Sequence, residues 1–278
     1  MPIELSGVRY AYAQGSALQT QALKETSLTI RDGEFVGIMG KTGCGKTTMM
    51  QLMAGLLMPD TGRVLLDGED IHDRAFDPGR LREKIGVVFQ YPEYQLFETT
   101  VERDVAFGLK HLPLSREEKA RRVCWALELV GFSFEKIRAL SPMSLSGGEK
   151  RRVAIAGVLA VKPKHLLLDE PIAGLDPLGR EAFLQLLQSL NAFGTTIVMI
   201  SHNADVLAEY AGRILYLENG TVGMDGLPSA ILPKLGLGQV CGAVQSLRER
   251  GFNVPGQIVR YDALLPELVK IAKGGGRE

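Results

Sequence analysis

Cysteine is scarce in this 278-residue chain, and its three copies, Cys44, Cys124 and Cys241, are widely spaced. An odd number with no CxxC or Cys/His cluster excludes a disulfide framework and a structural zinc, and fits a reducing compartment. Neither sign of charge is in excess: 32 Lys plus Arg balance 32 Asp plus Glu. No overall basic field is present to draw in nucleic acid or anionic lipid. Long apolar runs are missing too. The longest stretch free of polar side chains, Val153–Val161, is about half of the roughly 20 residues a membrane-spanning helix needs. The start, Met1-Pro2-Ile3-Glu4-Leu5, has neither a basic nor an apolar leader region, so a cytosolic protein without a secretory signal is expected. Internal repeats and low-complexity tracts are also lacking.

What the chain does have is short apolar runs rich in Val, Ile and Leu, alternating with helical patterns, the mark of an α/β fold. Strands are expected near Glu34–Met39, Ile85–Phe89, His165–Leu168 and Thr195–Ile200, each nearly continuous in apolar character, as central strands covered on both faces are. Ile3–Tyr12 and Thr26–Arg31 alternate more and suggest an antiparallel edge. Between Thr100 and Leu140 the pattern turns helical. There Ser115-Arg116-Glu117-Glu118 reads as a capping box ahead of a helix carrying Val123, Leu127 and Val130. The alternation of strand and helix ends after Gly226, and Ile231–Lys273 reads as a small appended unit with a helix from about Gln239 to Arg250, before a frayed Gly274-Gly275-Gly276 end. The expected division is a principal domain over 1–226, with a helical insertion at about 95–162, and an extension over 227–278.

Gly40-Lys41-Thr42-Gly43-Cys44-Gly45-Lys46-Thr47 matches GxxxxGK[ST] between a buried strand and a helix starting at Lys46. Its glycines let the backbone, through Thr48, wrap inward so that N–H groups and the positive helix end face phosphates. Lys46 would neutralise the β- and γ-phosphates, and the Thr47 hydroxyl would bind Mg²⁺. A thiol at that helix start, beside Lys46, is expected to be acidified and reactive, although Cys44 reads equally well as a small filler.

The apolar run His165–Leu168 ends in Asp169-Glu170, where strand ends face the ligand crevice. Asp169 is placed for the Mg²⁺ shell, and Glu170 for orienting or deprotonating the attacking water. A second strand ends at Ser201-His202, bringing His202 to the same crevice. Leu145-Ser146-Gly147-Gly148-Glu149 contains an ordinary capping box, Ser146 with Glu149, for a helix running through Val161. A capping box does not account for two glycines in a first turn, each costing up to about 1 kcal/mol against alanine. Bare amides there suit a close-approaching anion.

Together these segments resemble the nucleotide-binding subunits of ATP-binding-cassette transporters, over about Ile3 to Gly226. The resemblance implies a P-loop NTPase mixed sheet with an antiparallel β subdomain, a helical subdomain and a small C-terminal extension, acting as an ATPase with ATP and Mg²⁺. It makes Gln90 a contact to Mg²⁺ and water, Ala173-Gly174-Leu175-Asp176 the D-loop, with Asp176 at the nucleotide, His202 the switch histidine, and Tyr12 the aromatic that stacks on adenine. It also implies that Ser146, Gly147, Gly148 and Glu149 of one subunit close over the phosphate loop of another. Glutamine is usual at Glu149, and either side chain closes the capping box.

Gln90-Tyr91-Pro92-Glu93-Tyr94-Gln95-Leu96-Phe97-Glu98-Thr99-Thr100-Val101, with Asp104–Gly108 and Arg151–Ala160, is similar to the energy-coupling factor ATPases that serve vitamin and cobalt or nickel uptake. The loop Ala13–Gln21 resembles the second of their two paralogous ATPases. The implied partners are a second ATPase subunit, identical or paralogous, a transmembrane coupling protein docking at Gln90–Val101, and a substrate-binding membrane component, at the cytoplasmic face of the membrane. The residues agree: Tyr91, Tyr94, Leu96 and Phe97 crowd a loop that also carries Glu93 and Glu98, which suits an amphipathic partner helix whose basic residues meet Glu93 or Glu98. The extension, with Leu247–Gly251 and Val254-Pro255, is similar to one that holds the two ATPases together. An ATPase of another importer class, a non-catalytic ATP clamp, and a cassette acting on nucleic acid or ribosomes are the rival readings.

Overall fold

The computed structural model describes residues 2–15 and 19–273. The loop at Ala13–Gln21 therefore lies partly, and the glycine run after Lys273 wholly, outside the described residues. Among the described residues ten strands, β1 (Ile3–Tyr12), β2 (Thr20–Ile30), β3 (Phe35–Gly40), β4 (Thr61–Leu66), β5 (Glu69–Asp70), β6 (Ile85–Val88), β7 (His165–Asp169), β8 (Thr196–Ile200), β9 (Arg213–Glu218) and β10 (Thr221–Gly226), form two sheets. The larger runs β10-β9-β3-β8-β7-β6 and is parallel except for β10. The smaller is antiparallel, in the order β2-β1-β4-β5.

Side chains alternate faces along a strand, and both faces of the larger sheet are covered. Leu166, Leu168, Ile197 and Met199 join one core; Leu167, Val198 and Ile200 join the other. This double burial is why β7 and β8 read as unbroken apolar runs. The first core is roofed by helices α4 (Arg116–Leu129), α6 (Gly147–Ala160) and α7 (Pro177–Ala192), with the short α3 (Val101–Ala106) and α5 (Phe134–Ile137) beside them. The second core holds α1 (Lys46–Met53), whose Met49, Met50, Leu52 and Met53 are buried, each contributing about 1.5–3 kcal/mol. The smaller sheet closes over that core through Ile3, Leu5, Val8 and Leu23. α2 (Pro78–Lys84) leads into β6, and α8 (Ala204–Tyr210) follows β8.

The Ile3–Tyr12 and Thr26–Arg31 pattern is thus a sheet of its own, not an edge of the main one. β1 lies at its centre, hydrogen-bonded on both sides, by β2 and by β4. The antiparallel edge of the main sheet is instead the β9–β10 hairpin, turned at Asn219-Gly220 with φ of 50 and 78°, the left-handed pair that a tight hairpin turn requires. That turn reaches inward: Gly220 N–H donates to the Cys44 carbonyl at 3.2 Å, and Lys24 N–H donates to the Gly220 carbonyl at 2.8 Å.

After Gly226 come α9 (Pro228–Leu235), α10 (Gln239–Glu249) and α11 (Tyr261–Ala272). Val240, Val244, Val254 and Leu264 form a third, separate core there. Asp205 of α8 accepts the Gln239 N–H at 2.8 Å and so caps α10 from the principal unit. Among the described residues no helix is long and apolar enough to cross a membrane.

Candidate functional site

β3 delivers the phosphate loop, β7 ends in Asp169 and leads to Glu170, and β8, between them in the sheet, leads to Ser201-His202. Their carboxyl ends open on a cleft of about 510 Å³. The loop's shape depends on two glycines. Gly45 has φ of 105° and a Cβ there would sit 2.3 Å from the Ala22 carbonyl oxygen; Gly40 has φ of 147° and a Cβ would meet the Leu217 carbonyl oxygen at 2.3 Å. Backbone presses on backbone at both, which only glycine permits.

Lys46 folds into the loop, its Nζ donating to the Gly40 carbonyl at 2.8 Å and the Lys41 carbonyl at 2.9 Å. The N-terminus of α1 has no side-chain cap and no acid in its first turn. Unsatisfied N–H groups and a helix dipole beside an ammonium ion suit a polyphosphate. The Thr47 hydroxyl donates to Asp169 Oδ2 at 2.8 Å, so two hard oxygen donors already stand together, the donor set Mg²⁺ takes. The site's residues fit a magnesium-bound nucleotide.

Glu170 stands opposite, with φ of 47°, a left-handed conformation that is strained for a non-glycine residue. Its Oε1 is buried without a hydrogen bond and lies 3.4 Å from His202 Nε2. Burial pushes its carboxyl upward, the Asp169 charge adds to this, and His202 opposes it. A carboxylate aimed into a cleft with a free oxygen can receive a proton from water.

Thr42, Gly43, Gly45, Lys46, Thr47 and Thr48 line the cleft together with Tyr12, Gln90, Asp169, Glu170 and His202. Gly40, Lys41 and Cys44 belong to the loop but do not line the cleft. Tyr12 hydrogen-bonds through its hydroxyl to Thr48 Oγ1 at 3.1 Å and is held edge-on by Tyr10, with ring centroids 5.0 Å apart. Cys44 is buried, its Sγ 4.0 Å from Lys46 Nζ. Thr20, Ala22, Ala173 and Ile200 also line the cleft; Thr20 and Ala22 sit on β2 and carry no sequence motif.

Ser146, Gly147, Gly148, Glu149 and Asp176 do not reach this cleft. Ser146 N–H and Oγ donate to Glu149 Oε2 at 2.9 and 2.7 Å, and Glu149 N–H returns a bond to Ser146 Oγ at 3.4 Å, a complete capping box. The bonds from Ser146 hold the Glu149 carboxyl below the ordinary range. Ser146, Gly147 and Gly148 are exposed at the start of α6. Asp176 caps α7, accepting the Gly179 N–H at 2.8 Å.

In the segment 90–101, Tyr91, Tyr94 and Phe97 are exposed, Tyr94 to 85%, whereas Leu96 belongs to the core. Glu98 is paired with Lys110 at 3.0 Å. Glu93 Oε2 is buried with no hydrogen bond.

Loop, lysine, acid pair and strand order together define a P-loop ATPase. The ABC transporter family pattern matches residues 23–173, and the chain belongs to that family, within its energy-coupling factor ATP-binding branch. It is 46% identical over 282 residues to the energy-coupling factor transporter ATP-binding protein EcfA2 of Symbiobacterium thermophilum, covering 99% of this chain and 98% of that one. Identity to EcfA2 of Clostridium tetani is 42% over 280 residues, covering 98% and 97%. Among solved structures, cbiO1 from Clostridium perfringens, described as part of the ABC transporter complex cbiONQ, matches with a TM-score of 0.73 at 35% identity, over 89% of this chain and 94% of that one. The dimeric post-hydrolysis ATP-binding cassette MJ0796, bound to ADP and Pi, matches with a TM-score of 0.72 at 34% identity, over 81% and 98%.

Proposed function

We propose that this chain is the ATP-hydrolysing subunit of an energy-coupling factor importer, serving uptake of a vitamin or a transition-metal ion from the cytoplasmic face of the membrane. The observation that carries the chemistry is the juxtaposition of Thr47 and Asp169 at 2.8 Å with the Glu170 carboxylate, whose buried Oε1 has no hydrogen bond, across the same cleft. Lys46 and the loop amides grip the phosphates, and Tyr12 stacks on adenine. Thr47, Asp169 and Gln90 would hold Mg²⁺, which would supply charge neutralisation for phosphoryl transfer. Glu170 orients and deprotonates the attacking water, and His202 holds the Glu170 side chain and the γ-phosphate in register.

One chain carries both a nucleotide cleft and an exposed glycine start of α6 that does not reach it. That division supports a pair of cassettes, identical or paralogous, in which Ser146, Gly147, Gly148 and Glu149 of one subunit close over the other's nucleotide and Asp176 lies at the junction. The exposed Tyr91, Tyr94 and Phe97 receive a transmembrane coupling protein at Gln90–Val101, and a separate membrane component selects the substrate. With Glu98 spent on Lys110, Glu93 is the acid left for a basic group on that partner. The unit over 227–278, with its own small core, is the dimerising extension of the 1–226 domain.

Two variants test the ATPase reading. Lys46→Ala is expected to weaken Mg-ATP binding at least 100-fold. Glu170→Gln is expected to keep binding while lowering turnover by about 10²–10³-fold. Unchanged turnover in Glu170→Gln would favour a regulatory ATP clamp instead.

A further inference from the structure

Arg151 lies on α6, two residues beyond the capping box, and is only 3% exposed. Its Nη1 donates to the Ala173 carbonyl oxygen, while Nε and Nη2 have no hydrogen-bond partner. No ion pair to Arg151 is found among the described residues. A guanidinium cannot shed its charge, and burying one without acceptors is costly enough that an apolar side chain would serve a purely space-filling role better. Its neighbour Arg152 differs, stacking on the Phe132 ring at 4.8 Å.

The one acceptor Arg151 has belongs to the loop from Glu170 to Asp176. That loop begins with the strained Glu170 and ends where Asp176 caps α7. Within it Gly174, at φ of 77°, passes so close that a Cβ there would stand 3.5 Å from Arg151 Nη1. Ala173 and Gly174 thus both lie beside the guanidinium, the first bonded to it.

We infer that Arg151 is a positioning residue that ties the Glu170–Asp176 loop to α6, so that the Ser146 end of that helix and the general base Glu170 move as one body. Nε and Nη2 have no partner, so the bond from Nη1 to the Ala173 carbonyl is the contact that couples the helix to the loop. The inference rests on the two-cassette reading above, in which Ser146 serves one nucleotide and Glu170 the other. Arg151 is then the link by which closure over the first site sets the base at the second.

The test uses the full chain in its assembled ATPase pair, with Arg151→Gln and Arg151→Lys beside wild type. Arg151→Gln is expected to lower kcat by about 10- to 100-fold, the penalty for a slightly misplaced catalytic group, with the Mg-ATP Kd within about twofold. Deuterium uptake should rise in the peptide covering 170–176 and stay constant across α1. Arg151→Lys, which keeps the charge and can reach a single carbonyl, should recover part of kcat. Unchanged uptake in 170–176 would overturn the inference, as would loss of kcat and affinity together with loss of fold in both variants. If wild type itself hydrolyses no ATP, the ATPase reading fails, and the uptake comparison still decides whether Arg151 holds the loop.

Discussion

Acid should weaken this fold through one histidine. His165 opens β7, the strand that carries Asp169 at its other end, and is 0% exposed with neither ring nitrogen hydrogen-bonded. Burial lowers its pKa from the ordinary 6.5 to about 4, with Asp32, Asp67 and Lys164 as charged neighbours. Asp32 is paired with Lys164 at 2.9 Å, and Asp67 with Lys84. The folded state thus binds its proton more weakly than the unfolded chain. Stability from the neutral ring is complete above pH 6.5 and is lost as pH falls from 6.5 through 4. Between pH 7.5 and 5 these two pKa values give a loss of about 2 kcal/mol. Urea unfolding of wild type and His165→Leu at both pH values isolates the effect, because other carboxylates titrate alike in both proteins. At pH 7.5 the variant should be near neutral, since two unpartnered nitrogens leave with the ring. At pH 5 it should be the more stable by about 2 kcal/mol. A wild-type-minus-variant difference that stays constant to within about 0.5 kcal/mol across that range would refute the reasoning.

Three further outcomes follow from the site. Cys44 is buried, so N-ethylmaleimide should reach it slowly, through openings of the phosphate loop, and Mg-ATP at ten times its Kd should slow that labelling about tenfold, read by peptide mass; labelling indifferent to ATP would detach Cys44 from the nucleotide. Gly45→Ala, whose Cβ strikes the Ala22 carbonyl, should cost about 2–3 kcal/mol and abolish ATP binding. Gly43→Ala, at φ of 78° with nothing within 4 Å, should cost only about 1–2 kcal/mol in the same melts. Glu93→Lys should reduce ATP-driven uptake by the assembled transporter at least tenfold, and more than Glu98→Lys does, because Glu98 already has Lys110; equal effects would argue against Glu93 as the docking acid.

Features with a local cause were readable in the residues. β3, β7 and β8 showed through double burial, whereas β6, read with them as a central strand, is the outer strand of the larger sheet, paired with β7 alone; the phosphate loop and acid pair showed through fixed spacing at strand ends. Ser146 and Glu149 close their capping box as expected. Ser115 does only half of it: Glu118 N–H donates to Ser115 Oγ, but the Glu118 carboxylate goes to Arg121 and Arg122. β2 begins at Thr20 rather than Thr26 because pairing with β1 extends it, a tertiary effect no short pattern carries. The Asn219-Gly220 turn is a hairpin signal present in the sequence, and it could have located β9 and β10. α11 is masked by Pro266 and α9 by Pro233, each inside its helix, where proline ordinarily marks an end. The contacts of Arg151 and Ala22 left no pattern to read, since Arg151 bonds a backbone carbonyl and Ala22 presses on Gly45 through its own.

Hairpin tips at sheet edges are the customary places to splice in a tag, because they ordinarily touch only water. The Asn219-Gly220 tip is different: its backbone is bonded both to Cys44 in the phosphate loop and to Lys24 in the smaller sheet. It works as a keystone between three parts of the molecule, so a graft there would loosen the grip on nucleotide from behind while leaving every residue in the cleft unaltered.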